Sequence, residues 1–225
     1  MVTGVSAETL SVTVVMPCLD EARALPGVLA AILPGYEVIV VDNGSTDGSA
    51  SVAARFGAKV VHEPRRGYGA AVHTGLEHAA TEIVCFIDAD GSLDPAQLPM
   101  LVEAVENGAD LAVGRRVPTS RGVWPWHARL GNLVLSILLR RKGLPVHDIA
   151  PSRAARREDL LALGIVDRAF GYPLELLIKA AKAGWRVSEF DVTYGERAKG
   201  TKSKVSGSVR GTARAIRDFG KALNR

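Results

Sequence analysis

The sequence predicts an α/β protein built on a doubly wound, mostly parallel sheet. Three observations carry this. Short β-branched runs recur between longer stretches of helical character, a rhythm that calls for parallel strands joined by crossovers. Three acidic turns, Asp20-Glu21, Asp42-Asn43 and Asp88-Ala89-Asp90, each follow such a run. The 225 residues, 47% hydrophobic and 23% charged, suffice for one domain with a full core.

The elements follow in order. Val12 to Met16 reads as a buried strand, Glu21 to Ile32 as a helix, and Tyr36 to Val41 as a second strand. A helix is expected to open at Ser45-Thr46-Asp47, whose side-chain oxygens suit free N–H groups. Ala58 to His62 is a third strand, Ala70 to Ala80 a helix, and Glu82 to Ile87 a fourth strand. Asp94 to Glu106 forms a helix with Pro95 in its first turn, and Ala109 to Val113 a fifth strand. Beyond Val113 the rhythm changes. A Pro/Trp loop from Val117 to His127 leads to an apolar helix, Leu130 to Leu139, closed by Arg140, Arg141 and Lys142. A short basic strand around Arg153 to Arg157 follows, then a helix from Pro173 to Ala183, a strand from Arg186 to Tyr194, and a polar loop from Gly195 to Gly207. No linker or internal repeat interrupts the chain, so residues 1–225 read as one domain with an elaborated C-terminal third.

Charge is distributed unevenly. Residues 1–112 hold 5 Lys and Arg against 15 Asp and Glu, while 113–225 hold 23 against 9. The split predicts a carboxylate-rich site in the first half and an anion-facing surface in the second. The most apolar stretch, Leu133 to Leu139, is far shorter than the roughly 20 residues a spanning helix needs, and the N-terminus has no basic region before an apolar run. A cytoplasmic location is expected, with reversible peripheral contact at the inner membrane face as an extension. Cys18 and Cys85 sit in apolar runs and read as buried thiols. The five histidines show no metal-ligand spacing.

A parallel topology brings the three acidic turns to one edge of the sheet, where ligands of such folds bind. Asp88 and Asp90 straddle one residue directly after an apolar strand. Two hard oxygen ligands there suit Mg²⁺ or Mn²⁺ on a diphosphate. Gly67-Tyr68-Gly69 lacks the third glycine of a dinucleotide fingerprint and follows the third strand; tight turning and anion approach near Arg65 and Arg66 account for it.

The ordered motifs VVMPCLDEA, VIVVDNGSTDGS, RRGYGAAVHTG and IDADGSLDP resemble glycosyltransferase family 2 with its A-type fold. The C-terminal stretches VGRR, WHARLGN, HDIAPSRAARR and YGERAKGTKSK resemble the dolichol-phosphate mannose synthase and bacterial polyprenyl-phosphate glycosyltransferase branch. The resemblance implies an inverting, metal-dependent hexosyltransferase using a UDP- or GDP-sugar, with a polyprenyl phosphate as acceptor and no nucleic-acid partner. It places Pro17, Leu19 and Glu21 in a first nucleotide-contacting turn, Val41, Asp42 and Asn43 at the base, and Asp88, Ala89 and Asp90 at the ribose and metal. Arg116 matches the arginine after strand five, and Arg197 and Lys204 match the basic loop that closes over the phosphates. Asp148 is expected to orient groups or act as a base, with Glu175 a weaker second. Residues 11–117 form the nucleotide-sugar and metal half; residues 118–225 form the acceptor half and end in an amphipathic helix with Arg210, Arg214, Arg217 and Lys221 on one face.

A soluble small-molecule acceptor is the alternative within the same chemistry. A nucleotidyltransferase would want a Gly-rich basic turn where this chain has MPCLDEA. A non-catalytic nucleotide-binding or membrane-docking module is the alternative from another class, against which the paired Asp88 and Asp90 stand.

Overall fold

The computed structural model describes residues 11–141 and 143–198. Lys204 and the basic C-terminal helix expected after Gly207 lie outside the described residues. Seven strands form one sheet: β1 (Val12–Cys18), β2 (Glu37–Asp42), β3 (Lys59–His62), β4 (Ile83–Phe86), β5 (Leu111–Pro118), β6 (Ser152–Arg156) and β7 (Val187–Tyr194), in the order β3-β2-β1-β4-β6-β5-β7. All neighbours run parallel except β6, which is antiparallel to both β4 and β5. The fifth expected strand therefore does not pair with the fourth. The chain crosses over, and the later strand fills the gap.

Alternation along β1 loads both faces. Val15 packs with Ile39, Val41, Leu76, Leu139 and Leu177 on one side, whereas Val14 and Met16 pack with Leu25, Val28, Leu101 and Val105 on the other. The first side is covered by α3 (Tyr68–His78), α5 (Trp126–Arg141), α6 (Arg157–Ala162) and α7 (Tyr172–Lys182). The second is covered by α1 (Leu25–Ala30), α2 (Ser49–Arg55) and α4 (Leu98–Glu106), with a 3₁₀ turn at Pro95–Gln97. Cys18 and Cys85 are buried free thiols in the second core.

Two helices begin later than the sequence predicts, for a shared reason. Ser45 and Ser49 hydroxyls accept the backbone N–H groups of Asp20 (3.0 Å) and Glu21 (2.9 Å), and the Asp47 carboxylate accepts that of Ala22 (2.9 Å). The Ser-Thr-Asp run is thus shared between the neighbouring turn and its own helix, since the other Asp47 oxygen accepts the Ser49 N–H at 3.0 Å, and α2 starts only behind Gly48, whose φ is 86°. The turn so held carries Asp20 at φ 54° and delays α1 to Leu25. β5 is longer than expected, because β7 pairs with it as far as Pro118 opposite Tyr194. α6 has no counterpart in the sequence reading.

α3 lies on β1 and β2 at close range. A Cβ added at Gly75 would sit 2.2 Å from Val15 Cγ1 and 3.0 Å from Val41 Cγ2. Gly75→Ala is expected to lower unfolding free energy by about 2 kcal/mol through overpacking. Urea denaturation measures this, and Val15→Ala in the same chain is expected to recover part of the loss.

Candidate functional site

The strand order reverses between β1 and β4, so the crevice expected of such a sheet opens beyond their carboxyl ends. The three acidic turns lie there, as topology requires. Asp42 ends β2, with one oxygen accepting the Ser45 N–H at 3.0 Å and the other 3.2 Å from His62 Nδ1. Burial opposes its ionisation, but the bonds from Ser45 and His62 prevail and hold the carboxyl below its ordinary value.

Asn43, expected at the base, is engaged elsewhere. Its amide donates to the carbonyls of Glu63 and Arg65, both at 2.8 Å, and its carbonyl accepts from Gly67 N–H at 2.9 Å. It organises the 63–67 turn. Val41 and Ala89 point their side chains into the cores, so only their backbones reach the crevice. Pro17 pairs with Val41 at the end of β1; Leu19 is half-buried and Glu21 buried in the following turn. The expected anion approach at Gly67-Tyr68-Gly69 is also corrected. The N–H groups of Gly69 and Ala70 donate to the carbonyls of Ala169 (3.0 Å) and Arg168 (2.9 Å), which cap α3. A Cβ on Gly67, at φ 150°, would stand 2.1 Å from the Arg168 oxygen. These glycines admit a passing backbone.

Beyond β4, Asp90 is buried and accepts from Ser92 twice, at 2.9 Å from N–H and 2.6 Å from the hydroxyl. Its second oxygen takes the Arg197 Nε at 2.5 Å, and Arg197 also reaches the Tyr194 hydroxyl at 3.3 Å. Asp88 makes no hydrogen bond among the described residues. Burial pushes its carboxyl up to about 7, the Asp90 charge adds to the push, and the Arg116, Arg197 and Arg153 charges oppose it. Two adjacent carboxylates, one of them poorly stabilised as an anion, suit a divalent cation. Among the described residues no group of three or more His, Cys, Asp and Glu could hold a metal ion. The donor set therefore matches an ion that completes its shell with water and diphosphate oxygens.

Asp148 proves to be a holding residue. It is fully buried and accepts from Arg116 three times (N–H at 3.0 Å, Nε at 2.8 Å, Nη2 at 2.7 Å) and from Ala150 N–H at 3.1 Å. Burial works against its ionisation, yet the charge and hydrogen bonds of Arg116 hold the carboxyl below its ordinary value. A carboxylate so occupied and so acidic is a poor proton acceptor, which corrects the base half of the expectation and leaves the orienting half. Glu175 is likewise a loop anchor: its oxygens accept the N–H groups of Val166 (3.0 Å) and Asp167 (2.7 Å).

Arg116 emerges pre-positioned. Nε and Nη2 are fixed on Asp148, and its guanidinium lies 4.2 Å from the Trp124 ring centroid and 5.5 Å from that of Tyr194. Nη1 has no hydrogen-bond partner among the described residues. The sequence reading missed Trp124, Tyr194 and Arg153. Arg153 is buried and donates to the carbonyls of Ala150 (2.8 Å), Pro173 (3.0 Å) and Ile149, fixing the loop that carries Asp148. Burial pulls its guanidinium down to about 10. An arginine flanked by Ser152, Ala154 and Ala155 in a buried strand was the available signal.

Removing Asp148 leaves the Arg116 charge buried and alone, so Asp148→Ala is expected to lower stability by about 3–5 kcal/mol. A depressed carboxyl stabilises fully above its unfolded value of about 4 and loses that contribution as pH falls through the folded value. Melting temperature measured against pH should fall on the acid side in the wild type, and the slope should be shallower in Asp148→Asn.

Comparisons with known proteins agree with this geometry. A glycosyltransferase of Mycobacterium tuberculosis, itself uncharacterized, is 61% identical over 215 residues, covering 95% of this chain and 98% of the relative. The undecaprenyl-phosphate mannosyltransferase of Micrococcus luteus is 34% identical over 227 residues, covering 91% of each chain. Among solved structures, glucosyl-3-phosphoglycerate synthase from Mycobacterium tuberculosis in complex with Mn²⁺, UDP and glucosyl-3-phosphoglycerate superimposes with a TM-score of 0.74 at 25% identity, covering 95% of this chain and 78% of that one. The family model described as glycosyl transferase family 2 matches residues 13–164. With its sheet, its acidic strand ends and these relatives together, the chain belongs to glycosyl transferase family 2 and is a glycosyltransferase of the A-type fold.

Proposed function

We propose that this glycosyltransferase is inverting and metal-dependent, and moves a hexose from a UDP- or GDP-sugar to a polyprenyl phosphate. The observation that carries the choice of acceptor is the state of Asp148 and Glu175. Both candidate bases are engaged in holding backbone and Arg116, so neither is free to deprotonate a hydroxyl. A phosphate is already anionic near neutral pH and attacks without a base. The mannosyltransferase of Micrococcus luteus, matched over nearly the whole of both chains and named for undecaprenyl phosphate, supports the same reading.

Asp88 and Asp90 are the residues to hold Mg²⁺ or Mn²⁺, which supplies Lewis-acid stabilisation of charge on the departing nucleoside diphosphate. The chain's own groups do the rest. The turn of Pro17, Leu19 and Glu21 and the end of β2 at Asp42 line the donor side. Arg116, braced by Asp148 and stacked on Trp124, offers Nη1 to an acceptor oxygen without reorganising. Arg197 stands at the edge of the diphosphate region, and Lys204, beyond the described residues, is its proposed companion. Acceleration then comes from positioning and charge stabilisation.

A second reading, transfer to a small phosphorylated acid, is favoured by the solved relative that contains glucosyl-3-phosphoglycerate. The test is product formation from UDP-glucose or GDP-mannose with a short-chain polyprenyl phosphate or 3-phosphoglycerate, with and without Mn²⁺. Lipid-phosphate glycosylation lost on chelation is the expected result; turnover of 3-phosphoglycerate alone transfers the case to the second reading, and turnover undiminished by chelation overturns the metal role. Asp90→Asn is expected to lower turnover at least about a hundredfold and to abolish any Mn²⁺-dependent thermal shift with the nucleotide. Asp148→Asn is expected to raise the acceptor KM with less than about a tenfold fall in kcat, whereas loss of a general base costs 10²–10⁴.

A further inference from the structure

α5 has two apolar faces, and only one of them is used. Leu135 and Leu139 point into the core, joined on that side by Asn132 and Ser136. On the outward side Trp126 is 76% exposed, Leu130 51%, Leu133 49%, Val134 50% and Ile137 36%. At about 100° per residue these five fall within one arc of roughly 100°, opposite Leu135 and Leu139. A surface helix of a globular protein carries polar residues there. Contiguous exposed apolar surface of this kind marks an interaction site.

The rim identifies the occupant. Between Asp110 and Asp148 the sequence has no Asp or Glu and seven Arg and Lys residues. Arg121, Arg129 and Arg141 among them are exposed around the stripe. A second copy of this chain would set the same cationic rim against itself in a two-fold contact. Residues 199–225 of the same chain, with eight Lys and Arg and a single Asp, would also meet it with like charge. Nucleic acid offers phosphates but nothing for five aliphatic and indole side chains. A bilayer with anionic headgroups satisfies both halves: acyl chains for the stripe, lipid phosphates for the arginines, and an interfacial depth favoured by Trp126. No helix among the described residues is long and apolar enough to cross a membrane, so the contact lies along the surface.

We propose that the outward face of α5 docks the protein reversibly, in the plane of the interface, on an anionic bilayer. The helix follows directly on the loop that places Trp124 against Arg116, so docking there sets the acceptor side of the crevice next to the headgroups. The proposal extends the lipid-phosphate reading, on which it rests for its purpose, but its measurement needs no donor, acceptor or metal.

The full-length protein is sedimented with phosphatidylcholine vesicles, with and without phosphatidylglycerol, at low and high salt. Binding to the anionic vesicles alone, weakened by salt, is expected. Trp126→Ser with Leu133→Gln should lower the partition coefficient at least roughly tenfold through lost apolar burial, at an unchanged melting temperature. In a second measurement, brominated lipid should quench wild-type fluorescence, and the conservative Trp126→Phe should remove that quenching. Equal binding of variant and wild type, binding to neutral vesicles as strong as to anionic ones, or quenching that survives Trp126→Phe overturns the proposal. So does a wild-type dimer by light scattering that the double substitution dissolves. Vesicle binding without transfer to polyprenyl phosphate would leave the docking surface standing and sink the acceptor reading instead.

Discussion

Asp148, fully buried, holds the mostly buried Arg116 side chain at 2.7 and 2.8 Å, and much of the molecule's second half is arranged around that pair. Neither charge is tolerable alone in such a place: an uncompensated buried ion costs several kcal/mol, and the pair offsets this only when nearly every donor and acceptor is satisfied. Asp148 meets that condition through Arg116 and Ala150. Its partner is held through Nε and Nη2 on that carboxylate, with the Trp124 and Tyr194 rings against the guanidinium. Arg153 then secures the peptide carbonyls that follow Asp148. The pair joins β5 to the loop before β6, and thereby fixes a cation at the mouth of the crevice in one orientation.

The acidic and basic halves of the chain take on physical meaning in this light. Carboxylates from the first half end strand β2 and follow strand β4, and guanidinium groups from β5, β6 and the segment after β7 act on the pair beyond β4. The Asp88 carboxyl registers all three arginines, and the unfavourable effect of its own burial exceeds them. The Asp88 carboxyl is therefore harder to ionise than an ordinary carboxylate even with its arginines in place.

Most of the fold was legible because it is local and periodic. Runs such as Val12 to Met16 and Glu82 to Ile87 announce strands through their apolar continuity, and parallel order follows from the helices between them. What escaped was long-range. Ser45, Thr46 and Asp47 read as a helix cap, and nothing within their own segment reveals that Ser45 and Asp47 also satisfy the N–H groups of Asp20 and Ala22. The antiparallel insertion of β6 is equally invisible, since Ser-Arg-Ala-Ala-Arg states neither direction nor neighbour. At the site, the carboxylates were legible from their places at strand ends. Whether Asp148 accepts a proton or grips an arginine depends on a residue 32 positions away. Trp124, in a loop, and Tyr194, at the end of β7, stayed hidden because such an aromatic becomes informative only when the cation over it is known.

The insertion of β6 bears on how this architecture is able to vary. The boundary expected near residue 118 does not divide the sheet, because the strand between β4 and β5 comes from beyond it. An amino-terminal fragment ending there would leave one edge of β4 and both edges of β5 unpaired, each a template for self-association. Recombining the front of one such enzyme with the back of another demands that the incoming strand match the register of Ile83 to Phe86 on one flank and Leu111 to Gly114 on the other. Loops and helix surfaces lie outside that register and are free to vary, while wholesale exchange of parts is blocked at its centre.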